Sequence, residues 1–251
     1  MLETIDFYYF SPTGGTKKSG KILACELAET VNEIDLADKN AVPASSDIVL
    51  VAAPVYGGRI PQLVSDKLAK LDGNGKKAIT AVVYGVRAYD DALLELNDVM
   101  KNSGFEVVAS AALVAQHSMV PEVGAGRPDK ADEAEIIQYA KRVADILKED
   151  KTSALSVPGN YPYKPGMKTS ATPISLSECT GCGHCASLCP TEAISVTDTA
   201  VTTDIEKCIM CMACVANCPA HSRILPPQIQ AGLTQKLSVF KDVRRENEFY
   251  F

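Results

Sequence analysis

The sequence has no tryptophan, only 6% aromatic residues, and no apolar run near the ~20 residues that a membrane helix requires. It has no excess of positive charge either. Its 25 Lys and Arg face 31 Asp and Glu, a net charge of −6 with a pI near 5.2. That balance excludes the basic surface that nucleic-acid binding demands. The opening residues, MLETIDFYYF, contain Glu3 and no apolar core of signal-peptide length, so a cytoplasmic protein with reduced thiols is expected. Cysteine is nearly missing from the first 178 residues, where only Cys25 occurs. What the chain does have is an ordinary globular composition, 46% hydrophobic and 22% charged, over 251 residues, enough for one large domain or two modest ones. It also has eight further cysteines, all between 179 and 218.

Charge and periodicity divide the chain. Residues 1–150 carry a net −7 and residues 151–251 a net +1. In the first part short apolar runs alternate with amphipathic stretches. Strands are expected at 5–10, 33–36 (short), 47–53, 78–84 and 106–115. Helices are expected at about 16–30, 61–71, 90–103 and 131–149, with 116–130 irregular. Five strands alternating with helices imply a parallel sheet covered on both faces. Residues 151–172, rich in Pro, Gly and Tyr, read as a linker or surface strap. Residues 173–226 hold the cysteine runs. Residues 227–251 form a C-terminal extension, with a short helix expected near 228–240 and a charged, aromatic tail. Cys25 falls on the expected apolar face of the first helix and reads as a small core hydrophobe.

The cysteines lie at Cys179, Cys182, Cys185 and Cys189, followed by Pro190, and again at Cys208, Cys211, Cys214 and Cys218, followed by Pro219. The spacing recurs with an offset of 29 residues, an internal duplication of one cluster-binding unit. Three thiolates set two residues apart can wrap three corners of a cubane, and the fourth ligand must approach from elsewhere. Zinc favours separated C-x-x-C pairs or mixed Cys/His sets with a longer spacer. Residues 173–226 resemble a bacterial dicluster ferredoxin. The resemblance implies two [4Fe–4S] clusters, with the fourth cysteine of each run serving the other cluster. One would use Cys179, Cys182, Cys185 and Cys218, and the other Cys208, Cys211, Cys214 and Cys189. Between the ligands the first run has Thr180, Gly181, Gly183 and His184, and the second has Ile209, Met210, Met212 and Ala213. The second cluster is therefore expected in a drier pocket, with the lower potential. His184 and His221 read as exposed loop residues.

Ser11, Pro12, Thr13, Gly14, Gly15 and Thr16 follow the first strand and open the first helix, where free backbone N–H groups attract an anion. The Gly-Lys-Ser/Thr ending of a Walker loop is missing, and so is the G-x-G-x-x-G fingerprint. The segment resembles the flavodoxin phosphate loop. That resemblance implies a doubly wound five-stranded sheet of order 2-1-3-4-5, with FMN at the switch point beyond the ends of the first and third strands. Two further loops would then line the flavin: Pro54, Val55, Tyr56, Gly57 and Gly58, and Gly85, Val86, Arg87, Tyr89 and Asp90. Tyr56 and Tyr89 match the ring-flanking positions, and either Gly57 or Gly58 the flipping peptide beside the flavin. Many flavodoxins carry Trp in the first of these loops, and none is present here. His117, Arg127 and the strap at 157–168 are further candidates for contact with the flavin or the ferredoxin part.

Together the two parts resemble the flavodoxin–ferredoxin fusion proteins of anaerobic bacteria and archaea, the EFR-type family, over the chain up to about residue 227. The resemblance implies an α/β flavodoxin-like domain at 1–150, a smaller α+β dicluster ferredoxin domain at 173–226, and electron transfer without a known substrate. Fusing the carriers raises the effective concentration of one near the other and couples one- and two-electron chemistry. The expected partner is a redox protein, a ferredoxin or a reductase or oxidase. The alternatives are an FMN-dependent reductase of a quinone, nitro compound or flavin, and a redox sensor. No second nucleotide motif points to NAD(P)H, no nucleic-acid partner or membrane span is expected, and the oligomeric state stays open with a homodimer among the options.

Overall fold

The computed structural model describes residues 1–38, 43–149, 155–168, 170–198 and 200–251. Its first part is a sheet built from β1 (Leu2–Tyr9), β2 (Ala28–Asp35), β3 (Ile48–Pro54), β4 (Lys77–Tyr84) and β5 (Glu106–Val114). All neighbours among these five are parallel, in the order 2-1-3-4-5. The runs at β3, β4 and β5 are apolar along nearly their whole length because both faces are covered. One face packs Tyr8, Val49, Val51 and Val82 under α2 (Gln62–Leu68) and α3 (Ala92–Asn102). The other packs Ile5, Phe7, Leu50 and Ile79 under α1 (Gly15–Leu27) and α4 (Lys130–Glu149). Each such side chain taken fully out of water contributes about 1.5–3 kcal/mol.

Three features depart from the sequence-based expectations. The first helix ends at Leu27, because Ala28 already pairs with Leu2 in β2, which is longer than the expected 33–36 segment. Cys25 is exposed and not part of the core: the buried stripe of α1 runs through Thr16, Ser19, Gly20, Leu23, Ala24 and Leu27, and position 25 falls beside it. The C-terminal tail carries a sixth strand, which pairs antiparallel with β5 through Glu248, Phe249 and Tyr250 and widens the sheet beyond five.

The second part is made of short pieces: β6 (Ile174–Ser175), α5 (His184–Ser187), β7 (Ile194–Val196), β8 (Val201–Thr203), α6 (Ala213–Ala216) and β9 (Arg223–Ile224). Strand β6 pairs with β9 and β7 with β8, both antiparallel. After them come α7 (Pro227–Leu237), a short 3₁₀ turn, and β10 (Glu248–Tyr250), the sixth strand of the large sheet. The expected division at residues 150 and 151 lies outside the described residues. No described helix is long and apolar enough to cross a membrane.

Candidate functional site

The carboxyl ends of β1, β3 and β4 open onto a cavity of ≈ 330 Å³. Strand β1 lies between β2 and β3, so the crossover connections leave β1 and β3 on opposite faces and a crevice forms where they part. The loop after β1 forms one end of the cavity through Ser11, Pro12, Thr13, Gly15 and Thr16. Gly14 turns the chain into the helix at φ 90°, a left-handed conformation that suits glycine, and stands just outside the lining. The first helical N–H groups have no partner within a helix. Here the N–H of Lys17 donates to Ser11 Oγ at 2.8 Å and that of Lys18 to Gly14 O at 2.9 Å. The N–H groups of Gly15 and Thr16 and the hydroxyls of Thr13 and Thr16 remain for an anion. Lys17 Nζ turns away to Glu33, at 2.5 Å, and Lys18 Nζ to Pro128 O, at 2.8 Å.

The loop after β3 lines the cavity with Pro54, Val55, Tyr56, Gly57 and Gly58, and the loop after β4 does so with Gly85 and Arg87. The structure corrects the other half of that second loop. Val86 is fully buried in the core, Asp90 pairs with Arg87 and Lys164, and Tyr89 does not reach the cavity. The Tyr89 ring packs edge-on against Tyr84 with centroids 5.3 Å apart. Its hydroxyl bonds to Glu248 and Tyr250, each at 2.7 Å, so it fastens the C-terminal strand and stacks on nothing in the crevice. No sequence signal distinguished it from Tyr56, because the partners that draw it inward lie about 160 residues away.

The strap and His117, both candidates from the sequence, line the cavity, and α7 adds a wall that the sequence did not announce. Met167 of the strap and Leu233, Lys236 and Leu237 of α7 close it. His117 lines it too: its Nδ1 accepts the N–H groups of Met119 and Val120, both at 3.2 Å, and burial holds its pKa below the ordinary value. No Asp or Glu lines the cavity, while Arg87 and Lys236 do. Arg127 lies elsewhere, buried against Asp132 and the carbonyl of Arg245. Most of the strap lies over α3: the hydroxyls of Tyr161 and Tyr163 donate to Asp98, and the Lys164 N–H donates to Asp91 at 2.7 Å. An anion cradle at one end of an apolar, tyrosine-bearing crevice can hold a flat cofactor with a phosphate monoester.

The cysteines gather as two sets. One small enclosed cavity is lined by Cys179, Cys182, Cys185 and Cys218, and another by Cys189, Cys208, Cys211 and Cys214. These are the two foursomes expected when each fourth cysteine crosses over. Among the described residues, no three His, Cys, Asp or Glu side chains close on a point as a single metal ion would need. Each set of four thiols surrounds a space, a donor set that fits a 4Fe-4S cluster.

The sets differ in exposure. Cys182 is exposed, whereas burial pushes the Cys211 thiol up to about 12. The duplicated backbone is the same at both: Gly181 and Gly183 have φ 66° and 76°, and their equivalents Met210 and Met212 have φ 55° and 66°. Only the second run places large side chains there, and they are 8% and 4% exposed against Leu225, with Met119 and Leu233 packed beside them. Ile209 and Cys211 pack against the core of the large sheet, and Ile209 borders a cavity together with Tyr56. Burial pushes the Tyr56 hydroxyl well above the usual phenol range, and a Cys211 thiolate would push it the same way.

Residues 161–223 match the 4Fe-4S dicluster domain family, Fer4_9. No curated protein matches the chain. Among solved structures it is similar to a flavodoxin from Streptococcus pneumoniae TIGR4, at 24% identity over 57% of this chain and 98% of that one, TM-score 0.43. It is similar to flavodoxin 1 from Bacillus cereus at 19% identity over 57% of this chain and 98% of that one, TM-score 0.44. It is also similar to rubredoxin oxygen:oxidoreductase from Desulfovibrio gigas, at 19% identity over 58% of this chain, TM-score 0.43, and spans only 36% of that chain. A parallel 2-1-3-4-5 sheet followed by a 4Fe-4S dicluster stretch is the make-up of a flavodoxin–ferredoxin fusion.

Proposed function

We propose that the protein is an electron-transfer iron–sulfur flavoprotein that moves electrons between two [4Fe–4S] clusters and FMN. The observation that carries this is the position of Tyr56, which lines the crevice at the end of β3 and also a second cavity bordered by Cys208 and Ile209 of the second cysteine run. Met119 and Leu233, which line the crevice and pack with Met210, Met212 and Cys208, form the rest of that shared wall. When bound, the clusters supply single electrons and the flavin takes one or two.

The chain's own residues do the rest. Gly15 and Thr16 present N–H groups, and Thr13 and Thr16 hydroxyls, to the FMN phosphate. Tyr56 flanks the ring, Gly57 and Gly58 offer backbone groups to its edge, and Met167, Leu233 and Leu237 keep water from it. Cys179, Cys182, Cys185 and Cys218 hold one cluster, and Cys208, Cys211, Cys214 and Cys189 the other. Redox proteins such as a ferredoxin or a reductase fit the exposed face at Cys182, and thiolate ligands fit a reducing compartment such as the cytoplasm. A second reading, reduction of a small quinone, nitro compound or flavin, draws support from a ≈ 670 Å³ cavity on the other side of Tyr56, bordered by Arg59 and Cys208.

The test is anaerobic purification followed by flavin and iron analysis, then spectroscopy with reduced ferredoxin or NAD(P)H. Bleaching of flavin and clusters by ferredoxin alone is expected. Rapid bleaching by NAD(P)H moves the balance to the reductase, and a preparation without flavin overturns the FMN site.

A further inference from the structure

Arg223, at the start of β9, is the largest of the fully buried side chains, 2% exposed. Its Nη1 donates to Ser175 Oγ at 3.0 Å and its Nη2 to Thr203 Oγ1 at 2.7 Å. Its Nε has no hydrogen-bond partner. Both hydroxyl partners are neutral, and no ion pair joins Arg223 to a carboxylate among the described residues. A guanidinium does not shed its proton, and a buried charge without a counter-charge is costly. The charge available to it is sulfur. Nη2 stands 4.0 Å from Cys214 Sγ of the second set, and Arg223 as a residue lines the cavity of Cys179, Cys182, Cys185 and Cys218, so it lies between the two sets.

The internal duplication sharpens this. The position 29 residues before Arg223 is Ile194, and Ile194 lines the cavity of the other four cysteines. Corresponding positions of the two repeats thus place a cation at one site and an apolar side chain at the other.

We propose that Arg223 is the built-in counter-ion of both clusters, set between them, and that it raises their reduction potentials. This rests on the two-cluster reading above. Each electron taken up adds negative charge to a centre already ringed by four thiolates. A fixed cation in a wall that excludes water stabilises the reduced form more than the oxidised one, and salt screens it little.

The experiment is a potentiometric titration of the anaerobic holoprotein followed by EPR, on the natural chain, Arg223→Gln and Arg223→Lys. Iron and acid-labile sulfide are measured first, and a natural chain without two clusters removes the reading on which the proposal rests. In fully loaded Arg223→Gln the one-electron equilibria of the clusters are expected to shift toward the oxidised form, tenfold or more for the one most affected, ~59 mV per tenfold, with Arg223→Lys close to the natural value. Unchanged potentials in fully loaded Arg223→Gln overturn the proposal alone. So do equal shifts in both variants, which would mark a residue that matters only through Ser175 and Thr203. If Arg223→Gln takes up no clusters, Arg223→Lys decides. Normal loading and potentials there support the counter-ion, and loss of clusters there too overturns it.

Discussion

Replacing Asn247 by Ala tests whether the C-terminal strand is a working part of the fold. Asn247 is 8% exposed and uses its whole amide. Its Oδ1 accepts the Val114 N–H at 2.8 Å, and its Nδ2 donates to Asp132 Oδ1 at 3.0 Å and Glu135 Oε2 at 2.6 Å. The substitution leaves the Val114 N–H buried without a partner, a cost of about 1–3 kcal/mol. Asp132 keeps Arg127 and the Asp129 N–H, so losing its third donor adds about 1 kcal/mol or less. The expected total is ~1–4 kcal/mol, a large share of the ~5–15 kcal/mol that folded domains have in hand. Equilibrium unfolding in urea, compared with the exposed control Glu246→Ala, measures it. FMN affinity should fall in the same variant, because α7, which supplies Leu233 and Leu237 to the crevice, is tethered to the sheet through this strand by way of the 3₁₀ turn. A loss below about 0.5 kcal/mol, the range of ordinary surface changes, refutes the reasoning.

Thr16→Val should weaken FMN binding to the apoprotein about 10- to 100-fold, the worth of one hydrogen bond to a charged group, as read by quenching of flavin fluorescence. Stability should fall in acid. Burial raises the Asp132 and Asp6 carboxyls, but Arg127 and the Asp129 N–H for one, and Ser46, Asn32 and Ser45 for the other, outweigh it and hold both below the ordinary 3.8. The stabilisation is therefore complete above about pH 5 and is lost as pH drops through their lowered values, which unfolding at a series of pH values between 6 and 3 should show. Met212→Gly relieves a left-handed backbone worth ~1 kcal/mol but gives up side-chain burial worth ~1.5–3 kcal/mol. It should cost stability overall, and by letting in water should raise the potential of the second cluster in an EPR-monitored titration.

The parts legible in the sequence are those set by local chemistry or by continuous burial. Strands β3, β4 and β5 stand out because both of their faces are covered. The cysteine sets stand out because the ligand spacing is written into the covalent chain, and the structure brings together the expected foursomes. Edge strands were harder. Strand β2 is largely polar, AETVNEID, and β10 is only three residues long, because an edge needs neither an apolar run nor length. Cys25 was misplaced by one step of a helical wheel. Tyr89 and Arg223 share a different difficulty. Each is defined by what surrounds it, Glu248 and Tyr250 for one, two cysteine sets for the other, and neither neighbourhood exists until the chain has folded.

The duplication also explains why the second cysteine set, and not the first, adjoins the crevice at the end of β3. Both repeats need left-handed residues at two matching positions, and glycine meets that need at the least cost. The first repeat has glycine at both, and one of its cysteines, Cys182, is exposed. The second accepts the strain of Met210 and Met212 and gains two large apolar side chains, which pack with Leu225, Met119 and Leu233. Met119 and Leu233 also line the crevice, so the same residues join the second cluster site to the flavin site. On the proposed function this sets the order of transfer: an external protein meets the exposed first cluster, the second relays inward, and Tyr56 lies on the last step. Glycine at 210 and 212 would keep the cluster fold but remove that joint. The departure of the two methionines from the repeat is therefore the mark of the inner cluster.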